Sequence, residues 1–264
     1  MVFSDQIPVY GEGEMTIYIL VFLIGAAIGS FLNVCIHRIP AGGSIIFPPS
    51  HCPSCKAGIR FYDNIPIISY LLLRGRCRQC KSLISSRYPI VESINGIGYM
   101  LLLYEFGLGW PLLAYTVFFS SLIVLTFIDL SHQILPDLIT LPGIIVGLIA
   151  ASSVLPAGMI NSIIGVLLGG GAFYLVAVIS RGGMGGGDIK LIAMIGAFLG
   201  WRDVLLTIFI GALTGSLVGI FLMLFKGKKR KDPIPFGPFL AAGAVISVFL
   251  DRELFIWYVN LRGG

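Results

Sequence analysis

Two aspartates and four cysteines are the residues whose types and spacing in this chain could do chemistry. Asp188 stands in Gly182-Gly183-Met184-Gly185-Gly186-Gly187-Asp188-Ile189-Lys190-Leu191, between a glycine-rich bend and a strongly apolar run. Asp129 closes the apolar run Pro111–Ile128. An ionised aspartate in lipid costs at least a few kcal/mol, so such residues are paired, cap a helix or react. Two carboxylates brought together cannot both ionise readily: one keeps a proton while the other stays charged. That pair can activate a water and polarise a peptide carbonyl. Because the two titrate as a unit, neither role is assigned to one residue. The competing structural roles are a helix N-cap for Asp188 and a solvated acid at a span end for Asp129. Lys190 is no obvious partner for Asp188, because positions i and i+2 of a helix do not face each other.

The thiols lie in Cys52-Pro53-Ser54-Cys55 and Cys77-Arg78-Gln79-Cys80, with twenty-one residues between the two knuckles. Four thiolates at that spacing close a tetrahedral metal site, usually zinc, and leave no open position for substrate. A structural zinc centre at Cys52, Cys55, Cys77 and Cys80 is therefore expected, with mononuclear iron or a redox dithiol pair as alternatives. Disulfides are disfavoured by a reducing cytoplasm. Cys35, inside an apolar run, reads as a small buried hydrophobe. His51 adjoins the first knuckle but is not needed as a ligand.

These residues must be positioned by membrane helices. Mean hydropathy is +0.94, with 56% hydrophobic and 12% charged residues, where soluble domains carry about 25% charged residues. Eight apolar runs approach the length that a hydrocarbon core of about 30 Å requires: Met15–Ile36, Pro89–Phe106, Pro111–Ile128, Leu138–Leu155, Met159–Ser180, Asp188–Leu199, Val204–Phe225 and Phe236–Leu250. The fold class expected is an all-α polytopic membrane protein of about eight transmembrane helices. Residues 1–36 form an N-terminal segment and first span, 37–88 a cytoplasmic zinc-binding loop, and 89–264 a transmembrane core. The first run follows Asp5, Glu12 and Glu14 with no basic segment and no clear cleavage site, and reads as a retained span.

Orientation follows from charge. Eight of the eighteen basic residues lie between Arg38 and Arg87 against one acid, Asp63, and five more lie in Lys226–Lys231. The positive-inside rule puts both segments, and with them Asp129, Asp137 and Asp188, on the cytoplasmic side. The same bias explains the net charge of +5, with anionic lipid rather than nucleic acid as the partner. Gly25 and Gly29 allow close helix packing, and Asn33, His37 and Arg38 are available to a site. Ile65–Leu73 is apolar but too short to span, and suits the membrane surface. Pro136 disfavours helix at Leu135, making Asp137 the expected N-cap of the next span. If Trp110 and Trp201 mark one interface, Asp188 lies deeper than Asp129, and the glycine loop must dip or a span tilt for them to meet. No G-x-G-x-x-G, Walker A motif or serine nucleophile elbow is present.

Gly185-Gly186-Gly187-Asp188 is similar to the G-x-G-D signature of intramembrane aspartyl proteases. The motif order resembles the type IV prepilin peptidases among them. The matching segments are Gly29–Val34, both cysteine knuckles, Ile84–Glu92, Phe127-Ile128-Asp129, Leu135-Pro136-Asp137, Gly187–Leu191 and Pro235–Phe239. The resemblance implies catalytic aspartates at Asp129 and Asp188. It also implies cleavage of the basic leader from prepilins or pseudopilins at the cytoplasmic face of the bacterial inner membrane, and N-methylation from S-adenosylmethionine. No methyl-donor site is readable; Arg87 and Glu92 are candidates that could equally orient or cap a span. The alternative from another class is an ion or proton transporter using the two aspartates as a relay, which the absence of repeated halves weakens.

Overall fold

The computed structural model describes residues 12–226 and 234–262. The basic run 226–231, apart from the backbone of Lys226, lies outside them, as do Asp5 and the side chains of Glu12 and Glu14. Among the described residues the regular structure is helical: α1 (Glu12–Arg38), α2 (Ile68–Leu72), α3 (Arg87–Phe106), α4 (Trp110–His132), α5 (Asp137–Ala151), α6 (Gly158–Ile179), α7 (Gly186–Leu199), α8 (Trp201–Lys226) and α9 (Gly237–Arg262). Each of the eight apolar runs falls mostly within a helix, the largest departure being at α5, which ends at Ala151, four residues before the run's end at Leu155. Four segments, Met15–Arg38, Trp110–His132, Gly158–Ile179 and Trp201–Phe225, are long and apolar enough to cross a membrane. Asp137–Ala151 and Gly237–Leu250 are apolar but shorter.

The described residues form two compact units, one of residues 12–31 and 49–107, the other of residues 32–48, 108–226 and 234–262. In the first, α1 and α3 touch backbone to backbone. A Cβ on Gly25 would lie 2.9 Å from Gly96 Cα, and one on Gly29 would lie 2.7 Å from Glu92 Cα. Asn95 Nδ2 crosses the same seam to donate to the Gly25 carbonyl at 2.7 Å. Small residues at the seam and one polar tie are how helices associate where apolar burial offers no preference.

The second unit is built around α7. Leu191 through Leu199 are all buried, as expected of a helix that is apolar on every side. At fourteen residues it is about 21 Å long at 1.5 Å per residue, and its neighbours enclose it. Phe198 stacks on Phe118 of α4 with centroids 4.6 Å apart. Gly143 and Gly147 of α5 admit Met194 and Phe198, while Gly169 of α6 faces Ile192. The closest backbone approach is to α6, where a Cβ on Gly196 would stand 2.4 Å from the Gly165 carbonyl carbon. Gly200, at φ +85°, turns the chain straight into α8.

The α6–α7 contact predicts opposite outcomes for two glycines. Gly196→Ala should overpack the seam and cost about 1–3 kcal/mol. Gly171→Ala, with nothing within 4 Å of its added methyl, should be neutral or stabilising by up to about 1 kcal/mol. Thermal unfolding in one detergent compares them.

Candidate functional site

Asp129 lies inside α4 rather than beyond it. The helix runs on to His132 and closes at Gln133, whose left-handed backbone (φ +54°) returns its amide to the Asp129 carbonyl at 2.8 Å. Asp129 is only 5% exposed, which rules out the competing role of a solvated acid at a span end. Its Oδ2 accepts the amide of Gly237, the first residue of α9, at 2.9 Å. That amide is one of the orphan donors of a helix start, where the helix dipole also favours negative charge. A Cβ on Gly237 would lie 2.7 Å from Asp129 Oδ2, so this contact requires glycine.

Asp188 is half-buried in the first turn of α7. It is not the N-cap: Gly185 holds that position. The Asp188 carboxylate folds back toward it, with Oδ2 3.0 Å from where a Gly185 Cβ would stand. Asp129 is close enough for its charge to act on Asp188. Leu135, from the α4–α5 link, lies against both segments. Its Cβ is 2.8 Å from the Cβ position of Gly187, and its Cδ2 is 3.2 Å from that of Gly237. The structure thus brings Asp129 and Asp188 together beside glycines whose missing side chains let Leu135 and the two carboxylates pack against the backbone.

Asp137 and Lys190 form a pair that the sequence reading missed. Pro136 is the N-cap of α5 and Asp137 its first residue, so the expected capping role is replaced. Lys190 Nζ donates to both Asp137 carboxylate oxygens, at 2.6 and 2.7 Å. Leu135 and this pair left no local signal in the sequence. Gly237 left one: a helix opening just after a run of prolines presents free amides, and a buried anion is a natural partner. On the other candidates, Arg38 is engaged locally, donating to the carbonyls of Ser44 and Pro48 at 2.9 and 2.6 Å. Asn33 is buried at 1% exposure and His37 is exposed.

The four cysteine sulfurs lie within 4.8 Å of one another, with Cys52 and Cys80 Sγ 3.8 Å apart. The knuckles are two copies of one turn. The bonds Cys52 N–H to Ala57 O, Lys56 N–H to Cys52 O and Ile59 N–H to Ser50 O recur as Cys77 to Ser82, Lys81 to Cys77 and Ile84 to Gly75. The bridge His51–Gly58 recurs as Arg76–Leu83. Lys56 and Lys81 share a left-handed backbone, at φ +58° and +59°. The Cys55 amide, together with the Ser82 hydroxyl, holds the Cys52 thiol down to about 6. Arg78, inside the second knuckle, grips Asp63 through Nε and Nη2 at 2.6 to 3.0 Å and holds that carboxyl below its usual range. His51 turns its Nδ1 to the Pro49 carbonyl at 3.1 Å instead of joining the cluster.

Glu92, 6% exposed, does not cap α3. It accepts the amide of Ile67 at 2.7 Å and meets Ser30 of α1. Ile67 holds φ +63°, a strained conformation for a β-branched residue, just before α2. Arg87 stacks over Tyr88, 5.7 Å from the ring centre.

The sequence model of the bacterial peptidase A24 N-terminal domain matches residues 23–106, spanning the four cysteines and Glu92. That of the type IV leader peptidase family matches residues 98–220, spanning both aspartates. A prepilin leader peptidase/N-methyltransferase of Pseudomonas aeruginosa is 34% identical over 91% of this chain and 93% of its own length. Its namesake in Legionella pneumophila is 35% identical over 92% and 94%. That of Myxococcus xanthus is 39% identical over 80% of this chain and 64% of its own length. No solved structure matches the chain.

The Glu92–Ile67 bond gives a local test. Glu92→Ala leaves the Ile67 amide without its acceptor, a loss of about 1–3 kcal/mol for a buried group, and residues 67–73 should exchange amide hydrogens faster. Glu92→Gln keeps an acceptor oxygen and should preserve most of the protection.

Proposed function

The chain belongs to the type IV leader peptidase family, and from that premise we propose that it is a membrane aspartic endopeptidase acting through Asp129 and Asp188. Its substrates are type IV prepilins or pseudopilins, whose leader it removes. Like the bifunctional relatives, it then methylates the new amino terminus, with S-adenosylmethionine as donor. The observation that carries the reading is the convergence of two carboxylates from α4 and α7 on one glycine-lined place.

In the proposed reaction the ionised carboxylate takes a proton from a water, and the water oxygen bonds to the scissile carbonyl carbon. The protonated carboxyl meanwhile gives its proton to the carbonyl oxygen. When the C–N bond breaks, the carboxyl that took the water's proton gives it to the leaving nitrogen, and the other, now ionised, takes a proton back from one hydroxyl of the tetrahedral diol, so that a carboxylic acid and an amine leave and the pair again holds one proton. The Gly237 amide orients Asp129 throughout. Of the glycines around the pair, Gly186 has open space beside it, and the substrate strand would approach there.

Around this site we read eight spans, with the basic loop and both aspartates on the cytoplasmic side of the inner membrane. The cysteines hold zinc. A zinc–sulfur distance of about 2.3 Å in a tetrahedron gives sulfur–sulfur edges of about 3.8 Å, and Cys52 to Cys80 is 3.8 Å. With four protein ligands the metal is structural and takes no part in the cleavage. Exposed Phe61, Leu71, Leu72 and Leu83 suit contact with lipid at the membrane surface.

Cleavage of a prepilin-like peptide in detergent tests the reaction. Asp129→Asn and Asp188→Asn should each lower kcat by at least about a thousandfold while the protein stays folded; normal cleavage by either folded isostere ends the dyad reading. Elemental analysis should find about one zinc per chain. Chelation, or Cys80→Ser, should open residues 49–86 to protease. A fully active, protease-resistant protein with no metal would show that the cysteines need none.

A further inference from the structure

We propose that the Asp137–Lys190 ion pair is a strap that sets the spacing of the two aspartates, which makes both positioning residues for peptide cleavage. The proposal rests on the endopeptidase reading and adds a part to its site. Four contacts carry it. Lys190 lies two residues beyond Asp188 on α7 and points away from it to Asp137, which it holds through both oxygens at 2.6 and 2.7 Å. Asp137 is the first residue of α5, two residues after Leu135. Leu135 in turn rests on Gly187, beside Asp188, and on Gly237, whose amide holds Asp129. On the other side, the link leaves α4 at left-handed Gln133, tied to the Asp129 carbonyl at 2.8 Å.

The link between α4 and α5 is therefore fixed at both ends. One end is anchored to the turn that bears Asp129, the other to the turn that bears Asp188. Between these anchors, the Leu135 side chain acts as the spacer that both glycine surfaces touch. Nothing else on α7 can take over from Lys190, since the residues after it, Leu191 to Leu199, are buried and apolar. An exposed ion pair of this kind contributes little to global stability, and Asp137 and Lys190 keep 57% and 38% of their side-chain surface. The geometry it holds matters more, because a displacement of about 1 Å at reacting groups can cost on the order of a hundredfold in rate.

The test uses the full chain in detergent with a prepilin-like peptide, measuring kcat, KM and the thermal midpoint. Asp137→Asn and Lys190→Gln should each lower kcat roughly tenfold, with KM within about twofold and little change in the midpoint. If the two side chains act only through each other, the Asp137→Asn/Lys190→Gln double variant should be no worse than either single one. The exchanged pair, Asp137→Lys with Lys190→Asp, should recover much of the lost kcat. Wild-type kcat in either single variant overturns the strap. So does a double variant whose loss is the product of the two single losses, and so does a kcat that falls only in step with the midpoint. If Asp129→Asn and Asp188→Asn also cleave normally, it is the endopeptidase reading that has failed, a result separable from failure of the strap alone.

Discussion

The hydrogen bond from the Gly237 amide to Asp129 is the contact on which the second unit's chemistry depends. A carboxylate at 5% exposure near membrane level cannot be left without a donor. The donor here is a helix terminus, a group that would itself be unsatisfied if the carboxylate were absent. One bond thus resolves two deficits. Its requirements propagate: α9 must begin at residue 237 and no earlier, which Pro235 favours. Residue 237 must be glycine, because any Cβ would press on the carboxylate. α4 must also continue past Asp129, so that the carboxylate is held by helix and does not move with a loop.

Asp188 is fixed by different means. Its helix is the most enclosed element of the unit, and α4, α5 and α6 each meet it through a stacked ring or a glycine. The residues from Leu191 onward fix the axis of α7, and Asp188 sits at the one end that is not enclosed. A rigid helix that opens after a glycine loop holds the carboxylate from behind, while Gly187 lets Leu135 pack directly on the backbone before it. The shortness of α7 follows from the same arrangement. A helix surrounded by protein need not match the thickness of the bilayer.

Much of this was legible in the chain. The apolar runs gave the helices, because a run without charges has few other ways to satisfy its backbone in lipid. The cysteine spacing pointed to the cluster, because two short knuckles bring their own thiols together. Asp129 and Asp188 stood out because acids beside apolar runs are costly. The polar partners were not legible. Asp137 followed the usual grammar of an N-cap and is an ion-pair partner instead; Asp188 followed it too, and Gly185 caps the helix. Lys190 looked idle because its neighbours in sequence could not use it. Partners separated by 53 or 108 residues are chosen by tertiary packing, and local pattern does not reach them. Glu92 is the same case, since its partner Ile67 belongs to a loop whose path no periodicity describes.

That loop is ordered without a hydrophobic core of its own. Between residues 49 and 86 only Cys52, Ser69 and Gly75 are buried, while Phe61, Leu71, Leu72 and Leu83 are largely exposed. A segment of this size with no large apolar side chain inside it has no hydrophobic core to offset its chain entropy. Its order must come from discrete ties. The described ones are the Arg78–Asp63 fork, the Ser69 hydroxyl bonded to the Tyr62 carbonyl, and the Glu92 carboxylate on the Ile67 amide. None of these three joins the first knuckle to the second. The Ser82 hydroxyl, 3.7 Å from Cys52 Sγ, and the four thiols do, with the sulfurs within 4.8 Å of one another. The duplicated turn adds to this from the backbone: each knuckle is a complete thiol pair, and the two copies face each other in a cluster that could hold a metal ion.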